Sequence, residues 1–243
     1  MSVGLLLQIR VYHNVFKLIE TRKLRALPLK EYTKDYSYSS KVTIPDSDRF
    51  DDDTVVDILS KFEFLVIKAE DLPDKIRTYP KGSKYEKFKT ITYFTIVAPN
   101  SSFMNSTADY QKLMRNVDSD LKSKNRKYNV DSIVIYQYGK EQSFTAFDVT
   151  ECECSTTESM KQYYQIIANP LTHVCAWPIR ILNKEERKKT MDALYVKKKD
   201  LPQMFESDPT CFWLGANTGD ILLEERGNEN CGIRYVYHFV VKG

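Results

Sequence analysis

Residues 207–225, SDPTCFWLGANTGDILLEE, predict a short capped helix, a turn and a buried strand. Asp208 can accept hydrogen bonds from the first free N–H groups of a helix, and Pro209 suits the first helical position because it has no N–H to leave unpaired. Gly215 predicts the end of that helix, since glycine takes the left-handed conformation most easily. After an Asn-Thr-Gly turn, the apolar run Ile221–Leu223 is typical of a largely buried strand. The stretch offers neither an activated nucleophile nor a set of metal ligands, so it predicts a structural unit.

The length and composition are those of a protein with one large domain or two ordinary ones. The chain has 243 residues, of which 42% are hydrophobic and 28% charged, which is enough apolar sequence for real cores. An apolar run at residues 3–7 is broken by Gln8 and Arg10 and is too short for a signal peptide or a membrane span. We therefore expect an intracellular protein that does not associate with membranes.

Metal, disulfide and cofactor sites find little support in the sequence. The five cysteines include no C-x-x-C pair, and the three histidines are scattered, so neither a disulfide framework nor a zinc site is expected. No glycine-rich phosphate loop occurs. The net charge of +3 is spread evenly along the chain, which argues against a stand-alone nucleic-acid-binding domain. We expect no cofactor and no bound metal.

Hydrophobic periodicity predicts a mixed α/β (α+β) protein with two domains. Strands rich in aromatic and β-branched residues alternate with amphipathic helices. The predicted helices are 3–24, 54–60, 107–123 and 157–167, and the predicted strands are 62–68, 91–97, 133–138 and 144–149. Asn169-Pro170 is a natural boundary because the residue before proline is pushed out of helix. The sequence thus predicts an N-terminal domain at 1–169 and a small C-terminal α+β domain at 170–243.

Catalytic motifs are mostly missing, and one alternative is kept open. No nucleophile elbow or H-E-x-x-H is present. Pro45-Asp46 invites comparison with metal-dependent nucleases, in which a strand-borne Asp/Glu-x-Lys triplet helps to hold Mg²⁺. The two such triplets, Asp120-Leu121-Lys122 and Glu186-Arg187-Lys188, fall on polar stretches with a helical pattern. We therefore predict no catalytic residues, with a metal-dependent nuclease as an alternative.

A family resemblance is carried by the C-terminal domain. The chain resembles the fifth-largest, shared subunit of eukaryotic nuclear RNA polymerases, whose archaeal counterpart consists of this module alone. The motifs are Ile179-Arg180-Ile181-Leu182, Asn183-Lys184-Glu185-Glu186-Arg187, Leu201-Pro202, Asp208-Pro209, Leu214-Gly215 and Gly219-Asp220-Ile221-Leu222. Upstream, a weaker resemblance to the N-terminal jaw of the same subunit rests on Leu27-Pro28-Leu29 with Tyr32, the strand at 62–68 and Ile133-Val134-Ile135-Tyr136-Gln137.

The resemblance implies a non-catalytic, structural subunit of a multi-subunit DNA-directed RNA polymerase. The N-terminal jaw would have a nuclease-like fold without an active site and would lie near downstream duplex DNA. The C-terminal assembly domain would dock on the largest polymerase subunit, next to other polymerase subunits. The residues expected to bind that partner are Leu201, Pro202, Asp208, Pro209, Leu214, Gly215 and Gly219.

A basic stretch is the best candidate for a DNA-facing loop in the jaw. It contains a single acidic residue, Glu86, and could attract a phosphate backbone without reading sequence. Its basic residues are Lys75, Arg77, Lys81, Lys84, Lys87 and Lys89. The competing interpretation is a solvated loop that faces away from DNA.

This chain differs from the resembled family at several motif positions. Between its two glycines the family carries a basic pair, whereas this chain has Ala216-Asn217-Thr218, and Tyr237-His238 replaces a Tyr-Arg pair. Such divergence would fit a large DNA virus or a fast-evolving eukaryote, with the protein in the nucleus if cellular and in the virion or a cytoplasmic viral factory if viral. A protein-binding module unrelated to polymerase is another alternative. In that case Phe212 and Trp213 would form a partner groove, although aromatic residues on a short capped helix usually belong to a core.

Overall fold

The computed structural model describes residues 3–29, 38–44, 47–73, 75, 89–98, 128–136, 156–228 and 232–242. Their contacts divide the chain into two compact units. The first unit contains the described residues up to Pro73 and those from Lys89 to Ile167, and the second contains the residues from Ala168 onward together with Lys75. The division of roles between a jaw domain at 1–169 and an assembly domain at 170–243 stays a prediction.

Helices of the first unit follow the apolar spacing of the sequence. They are α1 (Val3–Thr21), α2 (Asp52–Lys61) and α3 (Tyr163–Ile167). Along α1 the side chains of Val11, Val15 and Leu18 are fully buried, as expected for the apolar stripe of an amphipathic helix. The helix ends before the predicted residue 24, because Lys23 adopts a left-handed conformation with φ of 54° and turns the chain into the first strand.

Within the described ranges, the first sheet has five strands in their sequence order. These are β1 (Leu24–Ala26), β2 (Phe64–Asp71), β3 (Lys89–Val97), β4 (Tyr128–Tyr136) and β5 (Thr156–Gln162). The pairs β1–β2 and β2–β3 are antiparallel, whereas β3–β4 and β4–β5 are parallel. Every residue from Leu65 to Ala69 is buried, so both faces of the sheet are covered, as in other α/β layers.

Most of the local predictions that fall on described residues of this unit are confirmed. The helix at 54–60 and the strands at 62–68, 91–97 and 133–136 are present within a few residues of the expected bounds. The predicted helix at 157–167 is wrong over its first half, because residues 156–162 pair with β4 as a parallel strand. Pairing with a neighbouring strand overrides a weak local helix preference. The helix predicted at 107–123 and the strand predicted at 144–149 lie outside the described residues.

The described part of the second unit contains a four-stranded sheet, two α-helices and two short 3-10 helices, at Pro170–Thr172 and Lys198–Asp200. Its elements are β6 (Ile179–Ile181), α4 (Lys184–Leu194), β7 (Gln203–Phe205), α5 (Pro209–Leu214), β8 (Ile221–Asn228) and β9 (Gly232–Val241). The strand order is β6-β8-β9-β7. The central β8 and β9 form an antiparallel hairpin, and β7 runs parallel to β9. The chain is therefore of mixed α/β class, as predicted.

Two small cores lie on opposite faces of this sheet. Ile221 and Leu223 pack with Leu182 and Leu201 on one face, and Leu222 packs with a second set that includes Cys211, Ala216 and Val240. Successive side chains of a strand point to opposite faces, so the continuous apolar run 221–223 is buried because helices and loops cover both sides. This confirms the buried strand predicted there. In the part of the chain that the structure describes, no helix is long and apolar enough to cross a membrane.

Candidate functional site

Helix α5 begins and ends at the residues that the sequence predicts. At the start of α5, Asp208 Oδ1 accepts a hydrogen bond from the Thr210 N–H at 2.7 Å, and Pro209 occupies the first turn. At the other end Gly215 is left-handed, with φ of 69° and ψ of 34°. The Ala216 N–H then donates to the carbonyl of Cys211 at 2.9 Å. These bonds satisfy backbone groups that a helix end leaves open.

The apolar turn of α5 belongs to the core. Trp213 and Cys211 are fully buried and Phe212 nearly so, which confirms the core interpretation of the two aromatic residues and makes a groove lined by them wrong. Burial raises the pKa of the Cys211 thiol to about 12. This thiol is therefore protonated at neutral pH and is a packing group, because the thiolate is the reactive form.

The turn after α5 is closed by its own polar groups and bonded to strand β9. The Asn217 N–H donates to Asp220 Oδ2 at 2.9 Å, and the Asp220 N–H donates to the Asn217 carbonyl at 3.0 Å. Gly219 has φ of 99°, which a side chain would oppose. Its N–H donates to the Val240 carbonyl at 2.9 Å, and the Val240 N–H donates to the Asp220 carbonyl at 3.0 Å. The turn thereby sets where the β8–β9 hairpin begins.

A buried ion pair links helix α4 to the same turn. Arg187 Nη1 lies 3.3 Å from Asp220 Oδ1, and the two side chains are 10% and 4% exposed. The same Nη1 donates to the carbonyl of Gly219 at 3.4 Å. Helix α4 is aligned for this contact by a capping box, in which the side chains of Asn183 and Glu186 each accept a bond from the other residue's N–H.

The sequence did not predict the Arg187–Asp220 pair, although both residues lie in the family motifs. The available signals were an arginine one residue after the capping box and an acid directly before a buried strand. Neither pattern identifies the other residue as its partner, because the contact joins distant parts of the chain. The carboxylate of Glu186, in the same motif as Arg187, accepts a hydrogen bond from Arg180 instead. This bond lowers the pKa of Glu186 below its ordinary value.

His238, where the resembled family has arginine, still bonds a carboxylate. Its Nε2 lies 2.8 Å from Glu224 Oε2, and both side chains are nearly buried. Arg226 Nη2 reaches the same oxygen at 2.9 Å. Burial alone would raise the pKa of Glu224, but the hydrogen bonds from Arg226 and His238 outweigh it and leave that pKa below its ordinary value. The histidine at this position therefore forms a cross-strand polar link to Glu224.

Predicted partner-binding residues are divided between the two faces of the sheet. Leu201 is buried with the cluster around Ile221, whereas Leu214 packs on the cluster around Leu222. Asp208, Gly215 and Gly219 are half-buried within α5 and its turn. Only Pro202 and Pro209 of the seven are exposed, so most of the set holds the unit together, and its direct contact with a partner stays a prediction.

Two of the basic residues expected to face DNA fall within the described part of the chain. Lys75 is half-buried and groups with the second unit, whereas Lys89 is exposed and begins β3 in the first. Arg77, Lys81, Lys84 and Lys87 lie outside the described residues. The DNA-facing role of this stretch stays a prediction.

The nuclease alternative gains nothing from the described residues. Glu186-Arg187-Lys188 lies on helix α4, where the first two side chains form the capping box and the buried ion pair. Among the described ranges, no cluster of three or more His, Cys, Asp or Glu side chains could hold a metal ion. Pro45-Asp46 and Asp120-Leu121-Lys122 lie outside them.

Comparison with known proteins gives a family match on the second unit and several similar polymerase subunits. Residues 168–240 match the family described as RNA polymerase Rpb5, C-terminal domain. The DNA-directed RNA polymerase subunit Rpo5 of Pyrococcus horikoshii is 36% identical over 74 residues, which is 30% of this chain and 90% of that subunit. The Rpo5 subunits of Thermococcus celer and Methanosphaera stadtmanae are 38% and 34% identical, over 26% and 30% of this chain and 77% and 95% of those subunits.

The left-handed glycine should be more sensitive to substitution than the helix cap. We expect Gly215→Val to lower the free energy of unfolding by about 1–3 kcal/mol, because a β-branched residue is strained at positive φ. Asp208→Ala should cost about 1 kcal/mol through the lost cap. Urea unfolding of the full chain measures both. Thr210→Val is the control, since it places a valine inside the helix, and a cost as large as that of Gly215→Val would contradict the strain argument.

Breaking the buried ion pair from one side should be costly. We expect Asp220→Asn or Arg187→Met to lower the free energy of unfolding by about 3–5 kcal/mol, because the remaining charge is buried without its counter-ion. The double variant should lose less than the sum of the two, with a coupling of about 0.5–3 kcal/mol. Arg180→Met, which breaks a more exposed pair with Glu186, should cost no more than about 1 kcal/mol. Strictly additive single effects would mean that the pair is not coupled in solution.

Proposed function

The chain belongs to the Rpb5 family of DNA-directed RNA polymerase subunits, and from this premise we propose that it is a structural, non-catalytic component of a multi-subunit polymerase. The observation that carries the proposal is the match at residues 168–240, which coincides with a unit that has its own sheet and two cores. The relatives named Rpo5 from Pyrococcus horikoshii and Methanosphaera stadtmanae are matched over 90% and 95% of their own length.

The chemistry of the second unit agrees with an assembly role. Its buried or half-buried polar side chains, such as Arg187, Asp220 and Glu224, bond to one another or to the backbone. Such groups stabilise a fold when they are fully paired, which agrees with a structural role for them. A surface with fixed shape is what a permanent subunit contact requires.

Docking on the largest polymerase subunit is the finer part of the proposal. The exposed Pro202 and Pro209 precede β7 and begin α5, so a partner can reach them without any change in the core. The remaining residues of the predicted set, such as Gly215 and Gly219, would act by holding α5 and its turn in place. Other polymerase subunits are expected as further neighbours.

The first unit is proposed to act as the jaw beside downstream duplex DNA. Support comes from its mixed sheet with helices and from the sequence resemblance of this part of the chain to the jaw. Lys89 is exposed at the start of β3, and the basic stretch that ends there would supply phosphate contacts that do not depend on base sequence.

Affinity purification of the tagged full chain tests the subunit assignment. We expect the two largest polymerase subunits to co-purify with it. A fragment of residues 170–243 should retain the largest subunit, because the family match lies there, whereas residues 1–169 alone should not. Retention by residues 1–169 and loss by 170–243 would overturn the docking assignment, and absence of any polymerase subunit from the full-chain sample would overturn the function itself.

Charge reversal in the basic stretch tests the contact with DNA. Replacing Lys81, Lys84 and Lys87 by glutamate should leave assembly intact but shorten the lifetime of elongation complexes and flatten its dependence on salt, since each lost phosphate contact reduces the number of released counter-ions. The matched control reverses the charge of three exposed basic residues elsewhere in the first unit, Arg10, Lys17 and Lys41. Equal lifetimes of wild-type and triple-variant complexes at every salt concentration would favour a solvated loop.

A further inference from the structure

The β8–β9 hairpin is longer than the strands on either side of it. Its ladder runs from the Ile221–Phe239 pair to the Asn228–Gly232 pair. Strand β6 covers only residues 222–224 of β8, and β7 covers only residues 239–241 of β9. The Glu225 N–H on the β8 side still donates to the Pro178 carbonyl at 2.8 Å. The edge of β9 from residue 233 to residue 237 has no such neighbour among the described residues.

The backbone groups along this edge point away from the hairpin. In an antiparallel pair, residues alternate between those that bond the partner strand and those that face outward. The Val240 N–H donates inward to Asp220, and the Phe239 N–H donates outward to the Pro202 carbonyl at 2.8 Å. The same alternation turns the amide and carbonyl groups of Ile233, Tyr235 and Tyr237 outward, where no described residue bonds them. Among the described residues, this edge is therefore an open template for another strand.

The side chains beside the open edge form an apolar strip on one face, next to the half-buried Glu225, which lies directly opposite Tyr235. Ile233 is 61% exposed and Tyr235 54% exposed. Gly227 pairs directly with Ile233, and a Cβ on Gly227 would lie 3.2 Å from Cζ3 of Trp177, so the 44% exposed indole lies on the same face. Exposed aromatic and branched side chains next to an open edge can contact every second side chain of an added strand.

The opposite face of the hairpin carries two arginines and the carboxylate of Glu224. Arg226 and Arg234 are directly opposite each other in the ladder, and both are exposed. Arg226 bonds Glu224, whereas no described residue bonds Arg234. Two like charges directly opposite each other in a sheet are unfavourable, and Glu224 compensates Arg226 alone, so a carboxylate from a partner would be attracted to Arg234.

We propose that the edge of β9 at residues 233–237 binds an extended segment of another polymerase subunit as an added strand. Its side chains would alternate between apolar residues, which contact Ile233, Tyr235 and Trp177, and acidic residues, which contact Arg234. The backbone would supply affinity, and the two dissimilar faces would fix the register. The inference rests on the proposed function, because the strand donor is a subunit of the same polymerase.

Amide hydrogen exchange on the full chain, free and within the purified polymerase, tests this directly. In the free chain the amides of Ile233, Tyr235 and Tyr237 should exchange quickly, whereas those of Arg234 and Val236, which face β8, should be protected. In the polymerase the first set should slow by roughly tenfold or more, as expected for newly bonded strand amides.

Two variants block the edge by different means. Tyr235→Pro removes one outward N–H, and proline is tolerated where the N–H of an edge strand faces solvent. Ile233→Lys adds a charge to the apolar strip without touching the backbone. We expect each to lower retention of the chain by the polymerase about tenfold, equivalent to about 1.4 kcal/mol. Val174→Lys is the matched control, because Val174 is 93% exposed and lies away from the hairpin edge in sequence; it should retain wild-type binding.

The outcomes separate the edge proposal from the proposed function. If the chain enters the polymerase but the three outward amides exchange as in the free chain, the strand addition is wrong and the subunit assignment stands. If the chain does not enter the polymerase, both are overturned. If the free chain dimerises and Ile233→Lys abolishes that dimer, the edge pairs with a second copy and the proposed heterologous strand is wrong.

Discussion

The buried ion pair between Arg187 and Asp220 is the contact on which the second unit depends. Burying one charge without the other is far more costly than burying both, so helix α4 and the turn before β8 must be formed together. The same turn bonds to Val240 of β9 and follows directly on the end of α5. The pair thereby connects helix α4 to a turn that adjoins α5 and bonds to the central strands, beside the two apolar clusters that join the same elements.

The sequence predicts correctly those elements whose ends are set by neighbouring residues. Helix α5 begins at Asp208-Pro209 and ends at Gly215 because a cap and a left-handed glycine act on adjacent residues. The start of β5 could not be found in this way, because residues 156–162 are strand only through their parallel pairing with β4. In the same way, Lys23 ends α1 by its positive φ, which nothing in the apolar spacing of that helix indicates.

The sequence motifs predict which residues belong to the second unit but not what each of them contacts. The motif positions Leu201, Gly215 and Gly219 are indeed structured together within one unit, yet the sequence does not say which of them face a partner. Leu201 and Leu214 are on different faces of the sheet, a separation that follows from strand order and not from spacing along the chain. The Glu224–His238 link was equally invisible, since it depends on the register of a hairpin.

The fixed register of the β8–β9 hairpin also arranges the backbone groups on its surface. The turn at residues 217–220 and the Glu224–His238 link hold the register of β8 against β9, so the outward amides of β9 are already arranged in an extended strand. A partner that adds to a preformed edge orders only its own segment, which lowers the entropic cost of association. The polar residues that make this unit stable are therefore also the reason that its open edge can serve as a template.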